Sequence, residues 1–160
     1  MKSVPDQFEC LILKVDLGGT PLIVSAIYRP PNAPQCATAA LSSLLADFAH
    51  YELIIMGDLN LDWLTSASDD LKDICNDLNL TQLITEPTRP NFKNPAKSSL
   101  IDIILTNKPH KYLNGIVFPI DASDHCPIAC IRNVNTPKSS PRFIVKRNIK
   151  HLSSSRGGSE

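Results

Sequence analysis

The chain has 160 residues, a length that fits one domain, and 42% of them are hydrophobic, which is enough to bury a core. No apolar run approaches the ~20 residues needed to span a bilayer, and residues 1–6 lack the apolar stretch of a signal peptide. The five cysteines are odd in number and show no CxxC spacing, which argues against a disulfide framework and against a zinc site. We therefore expect an intracellular protein, nuclear or cytoplasmic, with reduced thiols and no membrane contact.

The formal net charge is zero, but the charges are unevenly distributed. Residues 1–135 contain ten Lys and Arg and fifteen Asp and Glu. From Pro137 onward the chain contains six basic residues and a single acidic one, a Glu. This pattern predicts a domain over 1–134 and a basic, disordered tail over 135–160. Such a tail can bind a polyanion weakly, and it can equally be a solvated linker.

The first predicted elements are two strands, 9–15 and 22–28, which form a β-hairpin. The proline-rich segment 29–34 ends the second strand, because proline has no N–H for the ladder. Apolar residues at helical spacing predict a helix over 37–50 that packs on a sheet. A short apolar strand follows over 53–57, and Gly57 is interpreted as its terminator.

The second half of the chain predicts one further helix and several short strands. The helix begins at the N-cap candidate Ser68 and ends near Leu78. An irregular loop is expected over 86–99, and strands are expected over 81–84, 100–106, 116–120 and 126–131. The predicted fold class is therefore α/β, with a mixed, mostly antiparallel sheet and two packed helices.

Four polar motifs interrupt or follow apolar strands: Tyr28-Arg29-Pro30-Pro31, Gly57-Asp58-Leu59-Asn60, Ser99-Leu100-Ile101-Asp102 and Ser123-Asp124-His125. Strand ends are where open α/β layers usually place their sites. Asp58 and Asn60 can alternatively be turn residues. The sequence contains no P-loop, GxGxxG or GxSxG motif. It therefore does not support a Gly-rich nucleotide-binding loop or the nucleophile elbow of an α/β-hydrolase.

Asp102 stands out because a carboxylate within Leu-Ile-Asp-Ile-Ile-Leu is costly unless it is paired. A histidine or a hydroxyl group would be a suitable partner, and the alternative is an edge-strand aspartate that faces water. Near neutral pH, His125 can act as an acid, as a base or as a hydrogen-bond donor to a phosphate, while Asp124 can bind Mg²⁺. Tyr28 and Arg29 offer a hydroxyl and a guanidinium to phosphate oxygens, although Tyr28 can also be a half-buried strand aromatic.

Taken in chain order, the four motifs resemble those of the endonuclease/exonuclease/phosphatase superfamily. They are most similar to the apurinic-type endonuclease domain of non-LTR (LINE-type) retrotransposons, and Thr-Glu-Pro-Thr-Arg at 85–89 resembles the same branch. The resemblance covers residues 9–131 and corresponds to the C-terminal half of that domain. It implies a DNase-I-like, four-layer α/β/β/α sandwich, of which this chain would supply about one half. The tail resembles the linker that such elements place before a reverse transcriptase.

The resemblance implies catalytic roles for five residues of this sequence. Asp58 would activate the attacking water, and Asn60 would position that water and contact the phosphate. Tyr28 would stabilise the scissile phosphate. Asp102 would orient His125, and His125 would stabilise the charge that develops on the phosphate oxygens.

The implied phosphate-binding set is Tyr28, Arg29, Asn60 and His125, and the implied metal ligands are Asp124 and Asp58. The implied cofactor is Mg²⁺ or Mn²⁺, and the implied substrate is DNA. Family members carry an early Asn and a metal-binding Glu in an N-terminal half, whereas this chain begins close to the Tyr28 strand. We therefore expect a truncated domain with an incomplete metal site, an exposed apolar sheet face, and possible association with the missing half.

Two further readings stay open. The chain can be a non-catalytic fragment that binds nucleic acid or a partner through the retained fold and the basic tail. A phosphatase of the same superfamily is a weaker alternative, because Tyr-Arg-Pro-Pro and Pro-Thr-Arg resemble the retrotransposon branch.

Overall fold

The computed structural model describes residues 8–18, 21–34, 36–120 and 122–133, together with the backbone of residues 2–4. The predicted tail over 135–160 lies outside the described residues. The strands are β1 (Lys2–Val4), β2 (Phe8–Val15), β3 (Leu22–Tyr28), β4 (Glu52–Asp58), β5 (Thr81–Gln82), β6 (Asp102–Thr106), β7 (Ile116–Val117) and β8 (Ile128–Ala129). The helices are α1 (Cys36–Ala46) and α2 (Asp69–Asp77). No helix in the described part of the chain is long and apolar enough to cross a membrane.

Six strands form one sheet in the order β1-β2-β3-β4-β6-β5, and β7 pairs with β8 in a separate two-stranded sheet. The β2–β3 hairpin is antiparallel, as predicted. The pair β3–β4 is parallel, because the chain crosses over through α1 between these two strands. β4–β6 and β5–β6 are antiparallel, so the sheet is mixed and mostly antiparallel, and two helices accompany it.

The hydrophobic core fills the space between the sheet and the two helices, and the central strands β4 and β6 are also buried on their other face. Ile23 and Ile27 of β3 alternate with more accessible residues, and Leu53 and Ile55 of β4 are at most 1% exposed. These side chains belong to the same buried cluster as Leu41, Leu45 and Leu71 of the two helices. The apolar spacing that predicted α1 is therefore the stripe that faces the sheet.

At β2 and β3, the opposite face of the sheet presents apolar side chains to solvent. Leu11 and Leu13 of β2 are 47% and 51% exposed, and Ala26 of β3 is also exposed. The period of two along β2 places these residues opposite the buried Phe8 and Cys10. The structure thus bears out the expected apolar sheet face.

Gly57 lies within β4 and does not terminate it, which corrects the sequence interpretation. Its φ is +153°, and a Cβ atom at this position would lie 1.7 Å from the carbonyl oxygen of Ile27. Glycine is required here because the β3 backbone approaches too closely for any side chain. The strand can therefore continue through Gly57 to Asp58.

Several predicted elements are shorter in the structure than the sequence indicated. Helix α1 ends at Ala46 because the N–H groups of Phe48 and Ala49 bond three residues back, to Leu45 and Ala46, in tight turns. Strands β5, β7 and β8 contain two residues each. Helix α2 matches its predicted range to within one residue, but Ser68 forms no side-chain cap, since its hydroxyl donates to the carbonyl of Thr65.

Candidate active site

Three of the predicted site residues form a row across neighbouring strands. Tyr28 of β3 is the register partner of Asp58 in β4, and Asp58 is the register partner of Asp102 in β6. Register partners place their side chains on the same face of a sheet. The sheet pairing alone therefore brings a phenol and two carboxylates together.

Asp102 is the first residue of β6. The sequence had predicted a strand over 100–106 with Asp102 in its interior, and this was wrong. The strand begins late because the preceding backbone bonds elsewhere. The N–H of Leu100 donates to the carboxylate of Asp62, and the N–H of Asp102 donates to the hydroxyl of Thr88. The carboxylate consequently stands at the strand end, where it is 16% exposed, and avoids burial in the core.

His125 completes the row from the loop before β8. Its Nδ1 atom lies 3.0 Å from Oδ2 and 3.2 Å from Oδ1 of Asp102. An ionised carboxylate can only accept, so Nδ1–H is the donor and Nε2 stays available for another group. This contact is the pairing that was predicted for Asp102.

Asp58 and Asn60 form a tight corner at the end of β4. The backbone N–H of Asn60 donates to Oδ1 of Asp58 at 2.9 Å, and the φ of Asn60 is +50°. The Nδ2 group of Asn60 donates to the carbonyl of Arg29 at 2.9 Å. Burial raises the pKa of Asp58 above its ordinary value, and the nearby charge of Asp102 also raises it, whereas the Asn60 N–H opposes the shift. Asp58 is therefore a stronger base than an ordinary aspartate.

Arg29 does not have the geometry of the phosphate-binding residue that was expected. The residue is 8% exposed, and its guanidinium donates to the carbonyls of Ala33 at 2.8 Å, Pro30 at 3.3 Å and Leu59 at 3.4 Å. Burial lowers the pKa of the Arg29 guanidinium below its ordinary value. Arg29 therefore holds together the loops that flank Tyr28 and Asn60, and its guanidinium is engaged by backbone carbonyls.

Asp124 is also placed differently from the expected metal ligand. Its carboxylate pairs with Arg89, with Nη2 at 2.8 Å and Nε at 3.0 Å, and both side chains are more than half exposed. The hydrogen bond from Arg89 lowers the pKa of Asp124. In this geometry Asp124 fastens the His125 loop to the 86–99 loop.

Within the part of the chain that the structure describes, Asp58, Asp102 and His125 form a group that could hold a cation, because their ligand atoms lie within 4.8 Å of one another. The negative charge of Asp102 raises the pKa of Asp58, so the two carboxylates repel each other, and a divalent cation between them would relieve that repulsion. Mg²⁺ binds through one or two carboxylates and keeps several waters. The donor set fits such an ion.

A cleft of about 440 Å³ opens over Asp58, Asp102 and His125, and Ser123 and Ile128 also line it, whereas Tyr28 is not among its lining residues. A larger groove of about 720 Å³ lies between the two helices, where its ionisable side chains are Cys36, Asp70 and Asp73. We assign the chemistry to the smaller cleft, because it alone of the two contains the paired carboxylates and the imidazole.

Sequence reasoning missed the residues that fix this site from behind. Thr88 and Asp62 accept the N–H groups at residues 100–102, and Arg89 holds Asp124. The only signal in the sequence was the Thr-Glu-Pro-Thr-Arg segment, which suggested a family and gave no role.

Residues 22–129 match the family described as endonuclease-reverse transcriptase. No curated protein matches the sequence.

Solved structures support the same fold. The endonuclease domain of TRAS1, a telomere-specific non-LTR retrotransposon, has a TM-score of 0.65 at 16% identity, over 78% of this chain and 64% of that chain. An endonuclease/exonuclease/phosphatase family protein from Leptotrichia buccalis has a TM-score of 0.62 at 17% identity, over 77% of this chain and 53% of that chain. Beta toxin from Staphylococcus aureus has a TM-score of 0.52 at 18% identity, over 79% and 57%.

These likenesses show a DNase-I-like fold of the endonuclease/exonuclease/phosphatase type, and the chain spans 64%, 53% and 57% of the three structures. The matched segment includes all four motifs and every residue of the row. The chain belongs to the endonuclease-reverse transcriptase family.

Proposed function

We propose that this chain carries the catalytic groups of a retrotransposon-type DNA endonuclease that hydrolyses phosphodiester bonds with Mg²⁺ or Mn²⁺. The observation that supports this most directly is the row Tyr28–Asp58–Asp102, completed by the 3.0 Å contact between Asp102 and His125. Phosphodiester hydrolysis needs a base for water, a donor to the phosphate and an orienting group for that donor.

In the proposed reaction, the Asp58 carboxylate takes a proton from a water whose oxygen attacks phosphorus. The backbone N–H of Asn60 holds Oδ1 of Asp58 in place for this transfer. The bond from phosphorus to the leaving sugar oxygen breaks, and this oxygen takes a proton from a solvent water, so that the products are a phosphate monoester and a hydroxyl group. His125 and the half-exposed Tyr28 donate to the phosphate oxygens, and Asp102 keeps Nε2 of His125 directed at them.

The metal would be held by the carboxylates of Asp58 and Asp102. When bound, Mg²⁺ would neutralise charge on the phosphate oxygens. We propose that a further metal-binding Glu, which the resemblance places in the other half of the domain, would join these two carboxylates. That half would cover the apolar face of Leu11 and Leu13, a face of the kind that marks an interaction surface.

DNA contacts are proposed for the loop over 86–99, which is joined to the site through Arg89 and Thr88. Phe92 in this loop is 76% exposed, and Lys93 and Lys97 are exposed as well. An exposed aromatic ring can stack on a base, and lysines neutralise phosphates. The loop therefore offers both kinds of contact beside the catalytic row.

The test is nicking of supercoiled plasmid by the full chain, compared with Asp58→Ala, His125→Ala and His110→Ala. His110 is an exposed histidine that belongs to none of the motifs, so its replacement is the matched control. With Mg²⁺ we expect equal nicking by the wild type and His110→Ala, and a loss of about 100-fold or more in the other two. Equal nicking by all four proteins, or undiminished nicking with a chelator, would contradict the proposal.

The second candidate is a non-catalytic nucleic-acid-binding fragment, which the six basic residues from Pro137 onward favour. It predicts DNA binding that weakens steeply with salt, survives Asp58→Ala and is lost when residues 137–160 are deleted. Binding without nicking would select this candidate, and salt-independent binding would count against it.

A further inference from the structure

Thr88 connects the two chain segments that carry Asp102 and His125. Its hydroxyl accepts the backbone N–H of Asp102 at 3.1 Å and that of Ile101 at 3.3 Å. Its carbonyl accepts the N–H of Cys126, the residue after His125, at 2.7 Å. The residue is 0% exposed, so water cannot replace either contact.

These bonds decide where the two functional side chains stand. The hydroxyl fixes the start of β6 and hence the Cα of Asp102, while the carbonyl fixes the loop that carries the imidazole. Threonine suits this position because its branched side chain is stiff at χ1. Thr88 itself is held in turn, since its N–H donates to the carbonyl of Ser99 at 3.0 Å.

We propose that Thr88 is a positioning residue that sets the contact between Asp102 and His125. It touches neither substrate nor metal, and it acts through these two side chains. The structural part of this inference stands independently, and its effect on rate rests on the proposed endonuclease function.

The primary experiment compares Thr88→Val, which is nearly isosteric but lacks the acceptor, with Thr88→Ser, which keeps it. Thr106→Val is the matched control, because Thr106 is as buried as Thr88 and lies at the far end of the strand that Asp102 begins. Its hydroxyl donates to the carbonyl of Leu53 at 2.7 Å. The readout is the ¹⁵N shifts of the two ring nitrogens of His125 at alkaline pH, which report the nitrogen that carries the proton.

We expect the wild type, Thr88→Ser and Thr106→Val to hold the proton on Nδ1, opposite Asp102. Thr88→Val should lose this preference and show averaged shifts for the two nitrogens. An unchanged Nδ1–H form in a folded Thr88→Val protein would overturn the inference. The same shift in Thr106→Val would also overturn it, because a general loosening of the sheet would then be the cause.

If Thr88→Val does not fold, amide exchange in the wild-type chain decides the question. The N–H groups of Ile101, Asp102 and Cys126 should open in one step with a single dependence on denaturant. Separate opening of Cys126 would contradict a shared anchor.

Nicking kinetics then test the consequence for function. Thr88→Val should lower kcat by about 10-fold or more, as loss of an outer partner commonly does, with little change in KM. Thr88→Ser should restore the rate. The imidazole shifts need no substrate, so a chain that shows them but nicks no DNA would refute the endonuclease proposal and leave the positioning role intact.

Discussion

Glu52, the first residue of β4, offers a quantitative test of how the C-terminal segment is held. Its side chain is 1% exposed, and its carboxylate accepts four hydrogen bonds: from Arg132 Nε at 2.7 Å and Nη2 at 2.9 Å, Lys111 Nζ at 2.6 Å and the Tyr112 hydroxyl at 3.0 Å. Lys111 and Arg132 flank the segment that contains His125. The carboxylate therefore ties both ends of that segment to the sheet.

The perturbation is Glu52→Gln, which keeps the shape and removes the charge. The bonds from Arg132, followed by those from Lys111 and Tyr112, lower the pKa of Glu52 from 4.5 to about 2 despite its burial. At about 1.4 kcal/mol per pKa unit, this shift contributes roughly 3 kcal/mol to the free energy of unfolding at neutral pH. Because the folded-state pKa is the lower one, this stability is complete above the unfolded pKa of 4.5 and is lost as the pH falls toward 2.

The assay is urea unfolding of the two proteins, followed by Trp63 fluorescence at neutral pH and near pH 3. We expect Glu52→Gln to be about 3 kcal/mol less stable at neutral pH, and the gap to shrink to about 1–2 kcal/mol near pH 3. Glu86→Gln, at an exposed loop position, is the control and should change stability by less than about 0.5 kcal/mol. A Glu52→Gln protein as stable as the wild type, or a gap independent of pH, would refute this reasoning.

Three other substitutions separate structural from functional roles. Gly57→Ala should lower the free energy of unfolding by at least about 2 kcal/mol, measured in urea, because its Cβ would meet the Ile27 carbonyl at 1.7 Å. Phe92→Ala should leave stability unchanged but weaken DNA binding by about 1–3 kcal/mol in fluorescence anisotropy, and unchanged affinity would exclude a stacking role. Arg29→Lys should cost about 1–3 kcal/mol of stability and leave the salt dependence of DNA binding unaltered, whereas a reduced salt slope would restore the phosphate-binding role.

The elements that the sequence predicted well are those with a clear local signal. The hairpin and α1 follow from alternating or helical spacing of apolar residues, β4 follows from a short apolar run, and α2 follows from a polar start with acids in its first turn. Strands β5, β7 and β8 were predicted too long, because several of the apolar residues in the predicted ranges lie in the adjoining loops. The close approach of β3 to Gly57 depends on a neighbour thirty residues away, and no local pattern contains it.

The site was predictable where chemistry stood out against its surroundings. A carboxylate in an apolar segment required a partner, and His125 is that partner. The motifs did not reveal that Arg29 and Asp124 would be engaged by neighbouring groups. The side chain type alone suggests phosphate or metal binding, but burial and pairing depend on the tertiary arrangement.

The supporting residues were beyond prediction for the same reason. Thr88 and Glu52 belong to ordinary residue types. Thr88 bonds to Asp102, 14 residues away in the chain, and Glu52 bonds to Arg132, 80 residues away. Their role is visible only in hydrogen bonds between distant segments. Such residues nevertheless determine where the side chains of the candidate site stand.

The central claim is that Asp58 and His125 act in one catalytic centre, and the most direct test is a double-variant measurement. Mg²⁺-dependent nicking rates would be compared for the wild type, Asp58→Ala, His125→Ala and the double variant. Residues that act as a unit lose activity together, so the double variant should be nearly as active as the weaker single variant. A loss in the double variant equal to the product of the two single losses, or no loss in either single variant, would contradict the claim.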